Sequence, residues 1–273
     1  MTNIQFFALA ATSATAVASP YATSVLSYSA GSNPNPAYTD PTAALGAPAR
    51  MTGTQDFVSG VTPFNPPFAA GQLVSVGSGG HLALELGRLA TDNPTHRYGV
   101  DLIVFSSAFF VDHSYFDADP TNDGSGLLGP NPALFGAGGV ANVSVSADGV
   151  DWRPVAVTAL GLFPTLGYAD FPNATPTEPG AAETDFTRAM DPGLALADLA
   201  GMSFAQLVAL YDGSGGGIGI DIASSGLDAA RFVRFDNLGS EAFNIDAVAV
   251  VPTPGAAVVL LGAGLGAFRR RAR

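Results

Sequence analysis

Aspartates in one glycine-rich loop give the first indication of chemistry in this sequence. Residues 112–126 hold four of them, and the segment DADPTNDG at residues 117–124 contains the D-x-T-x-D-G spacing that opens an EF-hand calcium loop. The twelfth position of that loop is Pro130 instead of glutamate, so a true EF-hand is not expected. Two interpretations stay open, a set of solvated acidic turns or a calcium site with the candidate ligands Asp117, Asp119 and Asp123.

The residue types that most often carry catalysis are few and scattered. The chain has no cysteine, three widely spaced histidines and no G-x-S-x-G segment. The stretch GSGGGIG at residues 213–219 contains no lysine and does not match a phosphate-binding loop. Carboxylate pairs that hydrolyse glycosidic bonds lie about 5–9 Å apart across a cleft, which linear spacing does not predict. We therefore expect a protein that is not an enzyme.

Aromatic residues in predicted loops are the candidates for a ligand-binding surface. Such rings offer apolar faces on which a sugar can stack. The single tryptophan, Trp152, is expected in or beside the core, with a stacking platform for a ligand as the alternative. The loop candidates are Phe109, Phe110, Tyr115, Phe116 and Tyr168.

Alternating hydrophobicity predicts the strands that must position these residues. Residues 81–86 place three leucines on one face and His81, Ala83 and Glu85 on the other, which is typical of a half-buried strand. Residues 98–110, YGVDLIVFSSAFF, are apolar on both faces and predict a central strand. Further strands are predicted at residues 22–29, 73–76, 231–235 and 245–251, and a hairpin with a two-residue turn at Asp148-Gly149 within residues 142–157.

Composition favours an all-β fold with many turns. The chain of 273 residues contains 33 glycines and 20 prolines, and the lack of cysteine excludes disulfides. Ser203 and Gln206 form a capping-box pattern, which predicts one helix over residues 203–211. We expect a single β-sandwich domain over residues 21–250.

The charge of the chain excludes one class of partner. Its 11 basic residues are all arginine and oppose 23 acidic residues, giving a net charge of −12. Four arginines fall within the last five residues, so the rest of the chain carries seven against 23, a net charge of −16. Affinity for phosphate chains comes from lysine and arginine, so we expect no nucleic-acid partner.

Both ends of the chain resemble targeting segments. Residues 1–18 combine a short apolar run with Ala16-Val17-Ala18, which fits the small-x-small cleavage rule of a signal peptide. Residues 251–273 read VPTPGAAVVLLGAGLGAFRRRAR, a proline motif, an apolar segment and a basic end. This order resembles the PEP-CTERM sorting tail of exported bacterial proteins, which implies a C-terminal hydrophobic helix, a transient membrane anchor and an exosortase-type processing enzyme. The sorting residues are Pro252, Thr253, Pro254, Arg269, Arg270 and Arg271.

Five short segments between these ends share a second resemblance. They are DPTAALG at 40–46, VGSGGHL at 76–82, DLIVF at 101–105, VSVSADGVDW at 143–152 and NIDAV at 244–248. In this order they resemble exported bacterial surface proteins with a galactose-binding-like, discoidin-type jelly-roll domain. The resemblance implies an antiparallel jelly-roll β-sandwich of about eight strands that is non-catalytic, binds sugars at its loop tips and carries a structural Ca²⁺ ion.

A jelly roll also suggests a second calcium site. Its first and last strands are often neighbours, which would bring Asp40 near Asn244 and Asp246. Solvated acidic turns remain the alternative there too. Taken together, we expect an exported cell-surface or matrix protein that binds polysaccharide and is tethered by its tail. The alternatives are an exported glycan hydrolase or lyase on the same fold and a purely structural envelope protein.

Overall fold

The structure, a computed structural model, describes residues 18–116, 124–136, 141–155 and 162–253. The side chains of Tyr115 and Phe116 lie outside the described part of the chain. So do nearly all of the predicted signal peptide, the calcium set of Asp117, Asp119 and Asp123, and the apolar segment and arginines of the predicted sorting tail.

Within these residues the chain is mostly β-structure, as predicted. Two helices are present, α1 (His113–Phe116) and α2 (Phe204–Tyr211), together with short 3-10 turns such as Pro41–Ala44 and Arg97–Gly99. None of the described helices is long and apolar enough to cross a membrane. The strands are β1 (Ala22–Ser29), β2 (Met51–Thr54), β3 (Phe57–Gly60), β4 (Val74–Val76), β5 (His81–Thr91), β6 (Leu102–Ser106), β7 (Phe109–Phe110), β8 (Leu134–Phe135), β9 (Ala141–Ser146), β10 (Arg153–Pro154), β11 (Ile218–Ile220), β12 (Ala229–Asn237) and β13 (Phe243–Val250).

Two antiparallel sheets form the body of the protein. The larger has five strands in the order β1-β5-β12-β9-β10, and the smaller has four in the order β11-β6-β13-β4. The first and last strands meet where Tyr21 forms a β-bridge with Ala249, as expected for neighbouring chain ends.

One apolar core lies between the two sheets. Leu82 and Leu84 of β5 and Val233 and Phe235 of β12 are fully buried against side chains of the smaller sheet such as Val248. On β12 the two buried positions alternate with Arg234 and Asp236, so a period of two separates the core from the outward face of this strand.

The outward face of the smaller sheet is apolar and covered. Ile103 and Phe105 of β6 and Ala247 and Ala249 of β13 pack under Phe186, whose ring meets that of Phe105 edge-on with centroids 5.3 Å apart. Phe186 belongs to the loops of residues 162–214, which with α2 have a small apolar core of their own. We call these loops and α2 the covering lobe.

Arg50 connects the covering lobe to the sandwich. Its guanidinium donates to the carbonyl oxygens of Gly167 and Thr184, the latter at 2.9 Å, and lies 3.2 Å from the Glu183 carboxylate. The same group lies over the ring of Phe186, 4.1 Å from the centroid. This half-buried, planar, charged donor satisfies two backbone carbonyls at once, so one side chain holds two segments of the lobe.

The structure confirms some local predictions and corrects others. β1 has the predicted bounds, and α2 begins after Ser203, which caps it as the sequence indicates. The hairpin at Asp148 exists, but its connection is six residues long instead of two, because Asp148 accepts hydrogen bonds from Val150 and Asp151 and widens the turn. The predicted strand over residues 98–110 is shorter, because a 3-10 turn and left-handed Tyr98 precede β6.

Candidate functional site

The predicted calcium residues of the last strand lie in a buried, partly unsatisfied environment. Asp246 is 3% exposed and accepts a hydrogen bond of 3.0 Å from the backbone N–H of Ala49. Burial raises the pKa of its carboxyl from 3.8 to about 7, and that hydrogen bond offsets only part of the rise. Asn244, two residues earlier, donates to Ser107, while its Oδ1 is buried without a partner among the described residues. A buried carboxylate and an unpartnered amide oxygen fit the oxygen ligands of a hard cation.

The third predicted ligand, Asp40, has a different local role. Its Oδ1 accepts from the backbone N–H and hydroxyl of Thr42, at 2.9 and 2.7 Å, and so caps the turn Pro41–Ala44. These hydrogen bonds lower the pKa of Asp40, which is exposed to solvent. The capped turn packs on β13, but no described contact joins the Asp40 carboxylate to Asp246.

The predicted aromatic surface is divided in the structure. Phe110 is 1% exposed and packs in the core beside α2, so it offers no surface to a ligand, a correction to the prediction. Its strand neighbour Phe109 stacks on Phe135, which is 58% exposed, with centroids 5.8 Å apart. Tyr168 packs against Phe171 and Arg50 within the covering lobe. Alternation along β7 explains the outcome, since adjacent residues of a strand point to opposite faces.

A group of acidic side chains that the sequence did not suggest lies where the β5–β6 and β11–β12 connections meet. Asp92, Asp101 and Asp221 each place an oxygen within 4.8 Å of the others. Asp101 is buried, and burial raises the pKa of its carboxyl despite hydrogen bonds from Ile222 and from His96, whose Nδ1 lies 2.7 Å away. Asp92 and Asp221 are exposed, and acidic groups on a protein surface are often this close without a bound cation. Only the long-range pairing of two connections brings its members together.

The outward face of the larger sheet is polar and bears the tryptophan. On β12, Arg234 and Asp236 point outward and form a bidentate pair, with Nε 2.9 Å from both carboxylate oxygens. The Arg234 guanidinium carbon also lies 5.9 Å from the centre of the Trp152 ring. We call this surface the polar face; its residues are His81, Asn142, Ser144, Trp152, Arg234 and Asp236.

Strand register places these groups in rows across the sheet. Asp236 is paired with His81 of β5 on one side and with Asn142 of β9 on the other. His81 Nε2 lies 3.1 Å from the hydroxyl of Ser27 on β1, so one polar row crosses four strands. Directly paired side chains of a sheet are about 5 Å apart, a spacing that presents several donors and acceptors to one extended ligand.

A turn bounds one side of the polar face. Gly149 of the β9–β10 connection approaches Leu26 of β1 and the ring of Phe232, so closely that a methyl group at Gly149 would lie 3.2 Å from Leu26 Cδ2. Val150 at the tip is 76% exposed. The turn thus lies over Phe232 on the outward face of the sheet, at one side of the row that contains Asp236 and His81.

Sequence reasoning identified the strands of the polar face but missed the face itself. Phe232, Arg234 and Asp236 recur at every second position of β12, so their common face was recognisable from the sequence. Their proximity to Trp152 was not, because it depends on the order β12-β9-β10. Trp152 is half-buried beside Arg234 on the outward face of the larger sheet and is not among the residues of the apolar core between the sheets.

Neither a scan against protein-family models nor a search of curated proteins gives a match for this chain.

Proposed function

We propose that this chain is an exported, non-catalytic cell-surface or matrix protein that binds extracellular polysaccharide on the polar face. The observation that carries the proposal is the Trp152–Arg234–Asp236 arrangement on the outward face of the larger sheet. A tryptophan ring supplies an apolar stacking surface, and the planar guanidinium and carboxylate supply directed hydrogen bonds to neighbouring hydroxyl groups. A ligand that needs both is a sugar ring, which has apolar C–H faces and a polar rim.

The charges on the polar face favour binding over hydrolysis. A glycosidase needs a carboxylic acid with a raised pKa beside a second carboxylate. On this face Asp236 forms an ion pair with Arg234. Hydrogen bonds from Arg231 and Ser24 lower the pKa of Glu85 on the neighbouring strand β5. Burial raises the pKa of Asp246 and of Asp101, and both carboxyls lie away from the polar face and are inaccessible to solvent. Hydrolase or lyase activity remains the second candidate, and turnover of a polysaccharide panel would establish it.

Binding to a glycan array by the purified full-length chain tests the proposal. We expect Trp152→Ala and Arg234→Gln to abolish the signal of the parent protein while the protein stays folded. Two matched controls are Phe57→Ala, an exposed ring on the β2–β3 hairpin, and Arg188→Gln, which removes an ion pair of the covering lobe. Silence of the parent on a broad array would favour a purely structural envelope protein.

The fold type and the sorting route belong to the same proposal. The two antiparallel sheets and the contact of the first strand with the last support a galactose-binding-like jelly roll. The Pro252-Thr253-Pro254 motif and the terminal arginines support processing by an exosortase-type enzyme after transient membrane anchoring. An assay for release of the protein from membranes by such an enzyme would test this route. Release should stop when the three consecutive arginines are replaced by glutamine.

A structural Ca²⁺ ion at Asn244 and Asp246 is a separate proposal. The buried carboxylate would gain a counter-charge, and the unpartnered Asn244 oxygen would gain a ligand. Calcium should then raise the melting temperature of the parent protein, and Asp246→Asn should remove that rise. Asp92→Asn in the other acidic cluster is the control, and this variant should still show the calcium-induced rise in melting temperature. Equal melting temperatures with and without calcium would exclude the site.

A further inference from the structure

Both ends of the described body leave it at one place. Near the start, the carbonyl oxygen of Ala18 accepts a hydrogen bond of 2.9 Å from Arg88 on β5. Near the end, the Thr253 hydroxyl lies 3.0 Å from the hydroxyl of Thr91, three residues along the same strand. Pro20 and Val250 are joined by a backbone hydrogen bond of 2.6 Å. We call residues 18–20, 88–92 and 251–253 the tether end.

The last residues before the tail are fixed to the body. Val251 is 8% exposed, packs beside Phe105 and donates its N–H to the carbonyl of Asp101 at 2.9 Å. The apolar segment begins at Gly255, two residues beyond Thr253. Two extended residues span at most about 7 Å, so a membrane that holds the segment must lie against the tether end.

The surface at the tether end has the chemistry of a lipid headgroup contact. Leu89 is 55% exposed, and beside it a notch of about 230 Å³ is lined by Leu86, Gly87, Arg88, Leu89 and Arg231. Two of the seven arginines of the body therefore lie at this notch, where Arg231 also pairs with Glu85 and Arg88 also donates to the Ala18 carbonyl oxygen. Guanidinium groups bind phosphate through paired N–H donors, and an exposed leucine can enter the boundary between headgroups and acyl chains.

Nearby acidic groups restrict the lipid class. Asp92, Asp221 and Asp228 are exposed on the connections at the same end, where the Asp92 N–H donates to the Asp228 carbonyl. These carboxylates repel a uniformly anionic surface. A zwitterionic headgroup offers phosphate to the arginines and ammonium to the carboxylates, so it complements both.

We propose that the tether end is a membrane-contact surface for zwitterionic phospholipid, with Leu89 at the lipid boundary and a lipid phosphate at the notch of Arg88 and Arg231. The inference rests on the proposed function in one respect, the insertion of the tail into a membrane. Beyond the proposed function, the contact surface defines how the protein is oriented relative to the membrane. Leu238 follows the far end of β12, eight residues beyond Ala230, the partner of Ala90 in β5, so strand rise separates it from Leu89 by roughly 25 Å and it faces away from the membrane.

Site-specific fluorescence on the full-length chain tests the orientation. The chain has no cysteine, so Leu89→Cys and Leu238→Cys each accept one environment-sensitive dye at a position that is exposed in the parent. The proteins are bound to phosphatidylethanolamine–phosphatidylcholine vesicles whose headgroups carry a nitroxide quencher. We expect the dye at residue 89 to lose fluorescence and the dye at residue 238 to keep it.

A second variant and a second lipid isolate the notch. Arg88→Gln should weaken quenching at residue 89 while flotation with the vesicles is retained, and Arg188→Gln on the covering lobe should leave quenching unchanged. Vesicles rich in phosphatidylglycerol should quench residue 89 less. Flotation with equal quenching at residues 89 and 238 would overturn the contact surface and leave the proposed tether intact. Failure of the full chain to float would overturn both.

Discussion

The two outward faces of the sandwich differ in what lies over them. On the smaller sheet, Ile103, Phe105 and Ala247 are apolar and are buried by the covering lobe through Phe186. On the larger sheet, Arg234 and Asp236 occupy outward positions and remain partly exposed beside Trp152. One strand pattern therefore produces a buried interface on one side of the sandwich and a partly exposed polar surface on the other. Apolar outward residues require a cover, whereas polar ones do not.

The largest test of this contrast removes the contact between the smaller sheet and its cover. Phe186→Ala should lower the free energy of unfolding by about 3–5 kcal/mol, because a fully buried ring and its contact with Phe105 are lost. Phe232→Ala, on the outward face of the larger sheet, should cost less because that ring is only half-buried. Urea unfolding of both variants measures the difference, and equal losses would contradict the contrast.

The buried carboxylate of β13 should make stability depend on pH. The pKa of Asp246 rises from 3.8 to about 7 on folding, so the folded state binds the proton more tightly. Protonation of Asp246 therefore stabilises the folded state. This contribution to the free energy of unfolding is fully present below about pH 4 and is lost as the pH rises through about 7, a change of roughly 4 kcal/mol at most. In calcium-free buffer, Asp246→Asn should remove this fall in the free energy of unfolding between pH 4 and 7.

Asp40→Asn is the matched control for that experiment. Asp40 is exposed, and hydrogen bonds lower the pKa of its carboxyl, so its contribution has the opposite sign and is lost as the pH falls. The fall in stability between pH 4 and 7 should therefore persist in this variant. A fall that also persists in Asp246→Asn would show that another group causes it.

Arg50 should stabilise the covering lobe on the smaller sheet and have no effect on the larger sheet. Arg50→Ala removes the hydrogen bonds to Gly167 and Thr184 and the contact with Phe186, at a cost of about 2–4 kcal/mol. Arg50→Lys keeps the charge but not the planar fork, so it should recover only part of the loss. Limited proteolysis should cut the covering lobe faster in Arg50→Ala, with the larger sheet still protected. Unchanged cleavage would mean that the lobe is held by other contacts.

The smallest effect on stability is expected on the polar face. Arg234→Gln breaks a partly exposed ion pair and should change the free energy of unfolding by no more than about 1 kcal/mol. The same variant is expected to abolish glycan binding, which separates the role of this face from that of the covered one. A large loss of stability in chemical unfolding would assign Arg234 to the scaffold instead.

The local pattern of several elements was sufficient to predict them. β1 and α2 follow directly from residue order, since alternation and the Ser203–Gln206 capping box act within a few residues. β2 and β3 have only four residues each, which is too short for a period of two to be recognised in the sequence. β11 was not predicted either, because its three residues lie in a glycine-rich stretch and form a strand only by pairing with β6, which is distant in sequence.

The sequence alone determined the β-rich class, the acidic charge, the absence of disulfides and most strand positions, because composition and period are local properties. Only the tertiary structure decided that Phe110 is buried, that Asp92, Asp101 and Asp221 converge, and that Trp152 lies beside Arg234. Each of these outcomes depends on which distant strands are neighbours. That choice is made by burial of the whole apolar core, so no short segment contains it.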